Sequence, residues 1–143
     1  MNQSRWFLAH TRREDPVNIE QWCMRIGRSL VQSGWETKVI SGRDDYETRA
    51  AALGGWKAWC HDVPHGKDFT GSPMFHGVIV PVFSDETEPT VGKATAQIIE
   101  GFLSAGKHVY SWCPATDKFS QVETVEVLPD EDWLAWARLD FKC

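Results

Sequence analysis

Four short segments of the chain hold the side chains with the widest chemical reach. They are His10-Thr11-Arg12-Arg13, Gly42-Arg43-Asp44-Asp45, the acidic stretch from Ser84 to Thr95, and Trp112-Cys113-Pro114. Histidine ionises near neutrality, so His10 is a candidate proton carrier. Arginine presents forked N–H donors to phosphate, which suits Arg12 beside Thr11. Asp44 and Asp85 offer acceptors for sugar hydroxyls, and Trp112 offers a flat face for a ring. Gly92 and Thr95 sit where a helix start would aim unpaired N–H groups at an anion. Together these groups suit a sugar–base or sugar–phosphate ligand. Each also has a plainer reading. Arg12 and Arg13 read equally as a solvated pair, Asp85 as a charge favouring a helix N-terminus, and His10 as a structural residue. The Gly92-Lys93-Ala94-Thr95 run has the spacing neither of a Walker loop nor of a dinucleotide GxGxxG.

The cysteines add little chemistry. Cys23, Cys60, Cys113 and Cys143 form no CxxC. Cys60-His61 with nearby His65 is the nearest approach to a metal corner, and a thiol with two histidines in one loop falls short of a zinc set. No metal and no cofactor is expected, and reduced, partly buried thiols are.

The elements that must position these groups alternate between strand and helix. Trp6-Phe7-Leu8-Ala9 is an apolar run that breaks into polar residues at His10, as a buried parallel strand does at its carboxyl end. Asp15-Pro16 starts a helix, Ile19, Trp22, Ile26 and Leu30 recur at helical spacing, and Gly34 stops it. Residues 35–41 read as a second strand, 42–45 as a turn, and 46–60 as a helix with Tyr46, Ala50, Leu53 and Trp59 inward. Gly54-Gly55 weakens the middle of that helix, and 61–73 read as a long loop. The run from Gly77 to Phe83 is the clearest strand, although Pro81 favours an edge or a bulge. Thr90 can cap a helix whose stripe is Val91, Ala94, Ile98, Phe102 and Ala105, ending at Gly106-Lys107. His108 to Trp112 is a fourth strand. In the tail, 118–143, one further strand (119–128) and a short helix carrying Trp133 and Trp136 are expected.

Such alternation is the signature of βαβ units, so the expected fold is α/β: an open, mostly parallel sheet in a three-layer αβα arrangement. The strands at 5–10, 36–41, 77–83 and 108–112 should be adjacent and share direction. At 143 residues the chain fits one domain, 1–143. A net charge of -5 argues against an electrostatic grip on nucleic acid. No apolar run approaches the ~20 residues of a membrane span, and the N-terminus lacks a signal-peptide core, so a cytoplasmic protein without membrane contact is expected. In an open parallel sheet, ligands bind beyond the carboxyl ends of the strands, which is where the four segments fall.

Residues 76–112, HGVIVPVFSDETEPTVGKATAQIIEGFLSAGKHVYSW, resemble the second half of the nucleoside 2-deoxyribosyltransferase family and related Rossmann-like nucleotide-binding proteins. The matching features are the apolar strand Val78 to Phe83, the acidic loop Asp85 to Glu88, Gly92 and Thr95, and Gly106-Lys107. They cover about a quarter of the chain. The resemblance implies a flavodoxin- or Rossmann-like sheet and a small-molecule nucleoside or nucleotide as ligand. It also implies a homo-oligomer, since such enzymes complete their pockets across subunits, and Trp56, Trp59, Trp133 and Trp136 are natural candidates for the covered surface. If the chain is an enzyme, the implied chemistry is N-glycosidic transfer or hydrolysis, with a carboxylate attacking the anomeric carbon. The family's nucleophilic glutamate falls at position 98, where this chain has Ile98. Glu100 is the alternative nucleophile, with Asp85 and His10 assisting. The leading expectation is binding of a nucleoside, nucleotide or sugar-phosphate without transfer. The other two are an active glycosidase using Glu100 and an interaction module using the Trp-rich C-terminal helix.

Overall fold

The computed structural model describes residues 4–10, 14–34, 37–82, 90, 91, 93–124, 126 and 127. Its elements run β1 (Ser4–Leu8), α1 (Pro16–Gln32), β2 (Thr37–Ser41), α2 (Gly42–Leu53), α3 (Trp56–His65), β3 (Gly77–Pro81), β4 (Thr90–Val91), α4 (Lys93–Ser104), β5 (His108–Cys113), β6 (Lys118–Gln121) and β7 (Glu126–Val127). Five strands form one sheet in the order β2-β1-β3-β5-β6, and β4 pairs with β7 separately. The first four of the sheet are mutually parallel, and β6 runs antiparallel to β5. The expected α/β sheet and its shared strand direction are therefore present.

The order reverses at β1, because the chain first steps outward to β2 and then returns past β1 to β3. Successive side chains of a strand point to opposite faces, and β1 divides its residues accordingly. Trp6 and Leu8 join Ile19, Trp22, Ile26 and Leu30 of α1 in one core. Phe7 and Ala9 join Trp59, Val63, Ile98, Ile99 and Phe102 from α3 and α4 in the other. Helices thus cover both faces, and Phe7 of β1 and Ala9 just after it face α3 and α4.

Local chemistry sets the helix ends. Asp15 accepts from the Val17 N–H at 2.9 Å with Pro16 in the first turn, as expected. The residues expected to form a turn at 42–45 instead open α2. Ser41 accepts from the Asp44 N–H at 3.1 Å, so a strand residue doubles as the helix cap. Gly54 and Gly55, both at positive φ (101° and 125°), divide the expected single helix into α2 and α3. The expected loop at 61–73 is shorter, because α3 continues through Pro64 to His65. Pro64 fits against Gly101, where an added Cβ would lie 2.4 Å from the Pro64 Cγ, and Lys107 Nζ donates to the Pro64 carbonyl at 2.6 Å.

Pro81 lies on the central strand β3, not at an edge or bulge. It is the strand's last residue, paired with Trp112, so its missing donor falls where the ladder ends. The Val82 N–H then donates to the Trp112 carbonyl at 2.9 Å. Thr90 belongs to a two-residue strand, β4, and not to a helix cap. The expected helix with Trp133 and Trp136 lies outside the described residues. Among the described residues, no helix is long and apolar enough to cross a membrane.

Candidate functional site

A cavity of about 630 Å³ opens beyond the carboxyl end of β1, at the point where the strand order reverses. Ligands of open α/β sheets bind at such reversal points, and the volume lies within the usual range for small-molecule sites. Phe7, Ala9, Trp59 and Ile98, all buried, form its apolar floor. Tyr46 and Trp56 are 42% and 48% exposed and stand at its rim. Four polar groups enter from three places: His10 after β1, Arg43 and Glu47 on α2, and Thr95 on α4.

The immediate start of α2 after β2 brings Arg43, Tyr46 and Glu47 to the cavity, since residues three and four apart share a helix face. The Arg43 backbone N–H donates to His10 Nε2 at 3.3 Å. In that bond Nε2 is the acceptor.

Trp59 is held from behind. Its indole N–H donates to Asp45 Oδ2 at 2.8 Å, and the buried Asp45 also accepts from Arg49 Nε and Nη2, both at 2.9 Å. A further bond from Arg49 to Asp62 ties α2 to α3. Tyr46 meets the Trp59 ring edge-on at 5.1 Å, and Phe7 packs against it at 5.9 Å. The wall is therefore a fixed aromatic surface, braced by a carboxylate–guanidinium network that does not itself line the cavity.

Cys60 lines the cavity as well, and burial pushes its thiol up, so the thiolate needed for nucleophilic attack is disfavoured. His61 and His65 lie near each other, with rings 5.0 Å apart and tilted by 41°, on exposed positions of α3. No group of three or more metal-ligating side chains occurs among the described residues.

Of the site residues expected from sequence, His10 and Thr95 line the cavity together. Thr11, Arg12, Asp85 and Gly92 lie outside the described residues. Asp44 is exposed in the first turn of α2 and is not among the lining residues. Trp112 lies elsewhere. The alternation of β5 turns it to the α1 side, where it is fully buried against Trp22, under the Arg25 guanidinium 5.0 Å from its ring. Glu100 is also away from the cavity. It is exposed on α4, about 200° around the helix from Ile98, which does line the cavity. Tyr46, Glu47, Trp56, Trp59 and Cys60 line the cavity although sequence reasoning placed none of them in the site. The signal for Glu47 was Ser41 with Asp44 three residues on, a helix start that moves α2 four residues earlier.

Comparison with family models, with curated proteins and with solved structures gives no match for this chain.

Proposed function

We propose that the chain binds a nucleoside, a nucleotide or a related sugar-phosphate in this cavity, and does so without transferring the glycosyl group. The observation that carries the reading is the pairing of an aromatic wall with Arg43 at the carboxyl edge of β1. A base fits flat against Trp56 and Tyr46, and a phosphate suits the Arg43 guanidinium. Thr95 and Glu47 offer a hydroxyl and a carboxylate for sugar hydroxyls. The sheet strands taken alone follow the order 2-1-3-4-5, the flavodoxin-like order, which supports a nucleotide-sized ligand at this position. The resemblance of residues 76–112 to nucleoside 2-deoxyribosyltransferases points to the same ligand class.

The absence of transfer rests on what surrounds the expected nucleophile. Ile98 occupies that place on the floor, Glu100 faces solvent, and Glu47, the carboxylate among the described lining residues, is exposed. A nucleophilic carboxylate must reach the anomeric carbon in a fixed pose, and an exposed side chain at the rim supplies none.

The test is titration calorimetry with thermal shift across nucleosides and nucleoside mono- and diphosphates, alongside a base-exchange assay on deoxynucleosides. Binding should appear with at least one of these ligands, Trp56→Ala and Arg43→Ala should each weaken it about tenfold or more, and exchange should be absent. A protein that ignores the whole series has another ligand class. Base exchange that Glu100→Ala abolishes would show an enzyme instead.

A further inference from the structure

The outward face of α1 carries a second apolar stripe, separate from the one it buries. Ile19, Trp22, Ile26 and Leu30 face the sheet. Val17, Met24 and Val31 face away from it and are 59%, 59% and 57% exposed. Their spacing is seven residues, twice over. Seven residues turn an α-helix through all but about 20° of two full turns, so the three side chains form a seam along the helix. An outer helix of a globular domain ordinarily has one apolar stripe and a polar opposite face. Here the opposite face has an apolar seam of its own.

The charges beside the seam are arranged about its centre. Glu20 lies four residues before Met24 and Arg28 four residues after it, and both are exposed. A helix with this arrangement is complementary to itself in one direction only. When two copies pack antiparallel about a twofold axis at Met24, Met24 meets Met24, Val17 meets Val31, and Glu20 comes level with Arg28 of the other copy. Parallel packing sets Glu20 against Glu20 and Arg28 against Arg28. A twofold interface requires self-complementarity of this kind.

We infer that α1 is a homodimer interface, in which a second copy of this chain packs antiparallel on the Val17–Met24–Val31 seam with two Glu20–Arg28 pairs across it. The inference is independent of the cavity and of what it binds. It also moves the interface from the tryptophans that sequence suggested. Trp59 is buried within the chain and Trp56 stands at the cavity rim.

The seam alone is modest in area, so the dimer should form at micromolar concentrations and dissociate on dilution. Sedimentation velocity of the full chain from about 1 to 100 µM, roughly the range where modest interfaces are half-formed, tests it directly. A concentration-dependent dimer is expected, and Met24→Lys should render the protein monomeric with an unchanged circular dichroism spectrum. Glu20→Arg and Arg28→Glu should each weaken dimerisation about tenfold, because each turns two attractions into two repulsions. The double variant Glu20→Arg/Arg28→Glu should restore it. A monomer throughout that range overturns the inference and leaves the seam to another occupant, such as this chain's own residues 128–143 or a different protein. A dimer that withstands Met24→Lys, or that the charge exchange fails to rescue, places the interface elsewhere and overturns it equally.

Discussion

Individual side chains owe their behaviour here to the face on which a strand or helix presents them. Trp6 and Phe7 are neighbours in sequence, yet they lie in different cores on opposite sides of the sheet. The same alternation takes Trp112 from the strand-end cleft that its position suggests. Residue type alone points to a stacking role, whereas the phase of β5 decides the face, and that phase depends on a register absent from the local sequence. Ile98 was legible, since the helical stripe by itself turns it inward. Burial also governs the thiols. Cys23 is pushed up to about 12, first by burial and then by the negative charge of Asp44, and Cys60 is raised by burial alone. Both should therefore be almost wholly protonated at pH 8, with little thiolate for alkylation. Iodoacetamide followed by peptide mass mapping should leave Cys23 and Cys60 unmodified in the native protein and label both in denaturant. Rapid native labelling of either would show that the thiol is not held as the structure places it.

Among the elements, the pair α2–α3 departs most from what sequence suggests and matters most to the cavity. The turn expected at 42–45 and the loop expected at 61–73 are both partly helix, because a strand-end serine caps one helix and a proline is accommodated in the other. What holds the pair together is a network sequence hardly announces: Asp45 and Arg49 at i,i+4, with Asp62 and the Trp59 indole completing it. Removing the buried Asp45 leaves the Trp59 indole N–H without its acceptor and Arg49 with Asp62 alone. Asp45→Ala should therefore cost about 3 kcal/mol, measured as a lower urea midpoint, and should weaken ligand binding because Trp59 loses its brace. A second network fastens the segment before β3. The Arg5 N–H donates to His76 Nδ1 at 3.3 Å, and the Arg5 guanidinium pairs with Asp68 at 2.6 Å. Burial lowers the His76 pKa, and the positive Lys107 and Arg5, with His108, lower it further. An unfolded histidine takes up its proton from about pH 6.5 downward, whereas folded His76 resists it. The unfolded state then binds more protons, so stability falls as pH drops below that point. Asp68 is held below its ordinary range chiefly by the Thr70 hydroxyl, so its contribution is lost later, in strong acid. Urea unfolding at pH 8 and pH 5 should show the loss, and His76→Gln should flatten it; a slope unchanged in that variant would assign it to another group.

At the scale of the whole molecule, the sheet was the most legible feature, because buried parallel strands write themselves as apolar runs with polar exits. The four parallel strands and the helix after β1 follow from that pattern, while the strand order needs contacts distant in sequence; β6 simply folds back on β5 through the turn at 114–117. The edge on which the cavity opens was legible for a similar reason: parallel strands aim their carboxyl ends at one edge. Its walls were not, since they depend on how α2 and α3 are divided by Gly54 and Gly55. The finished architecture puts the two surfaces of interest on opposite sides of the sheet. The cavity draws on β1, α2, α3 and α4, and the Val17–Met24–Val31 seam belongs to α1 alone. They share no described residue, and their cores lie on opposite faces of the sheet. Sites that are well separated and have no common partner contribute to stability additively, within about 0.5 kcal/mol. Ligand binding and dimerisation should accordingly be uncoupled. A saturating ligand, at about 100 times its dissociation constant, stabilises its protein by about 2.7 kcal/mol. Met24→Lys should retain that full increment while losing the concentration dependence of its melting temperature. In the wild type, the same ligand should leave the fraction of dimer unchanged. A ligand increment that differs between wild type and Met24→Lys by more than the additive margin would reveal a two-state element spanning the sheet, because linkage requires each site to bias the other equally. β1 and β3 are paired in register and covered on both faces, which is the structural ground for expecting no such coupling.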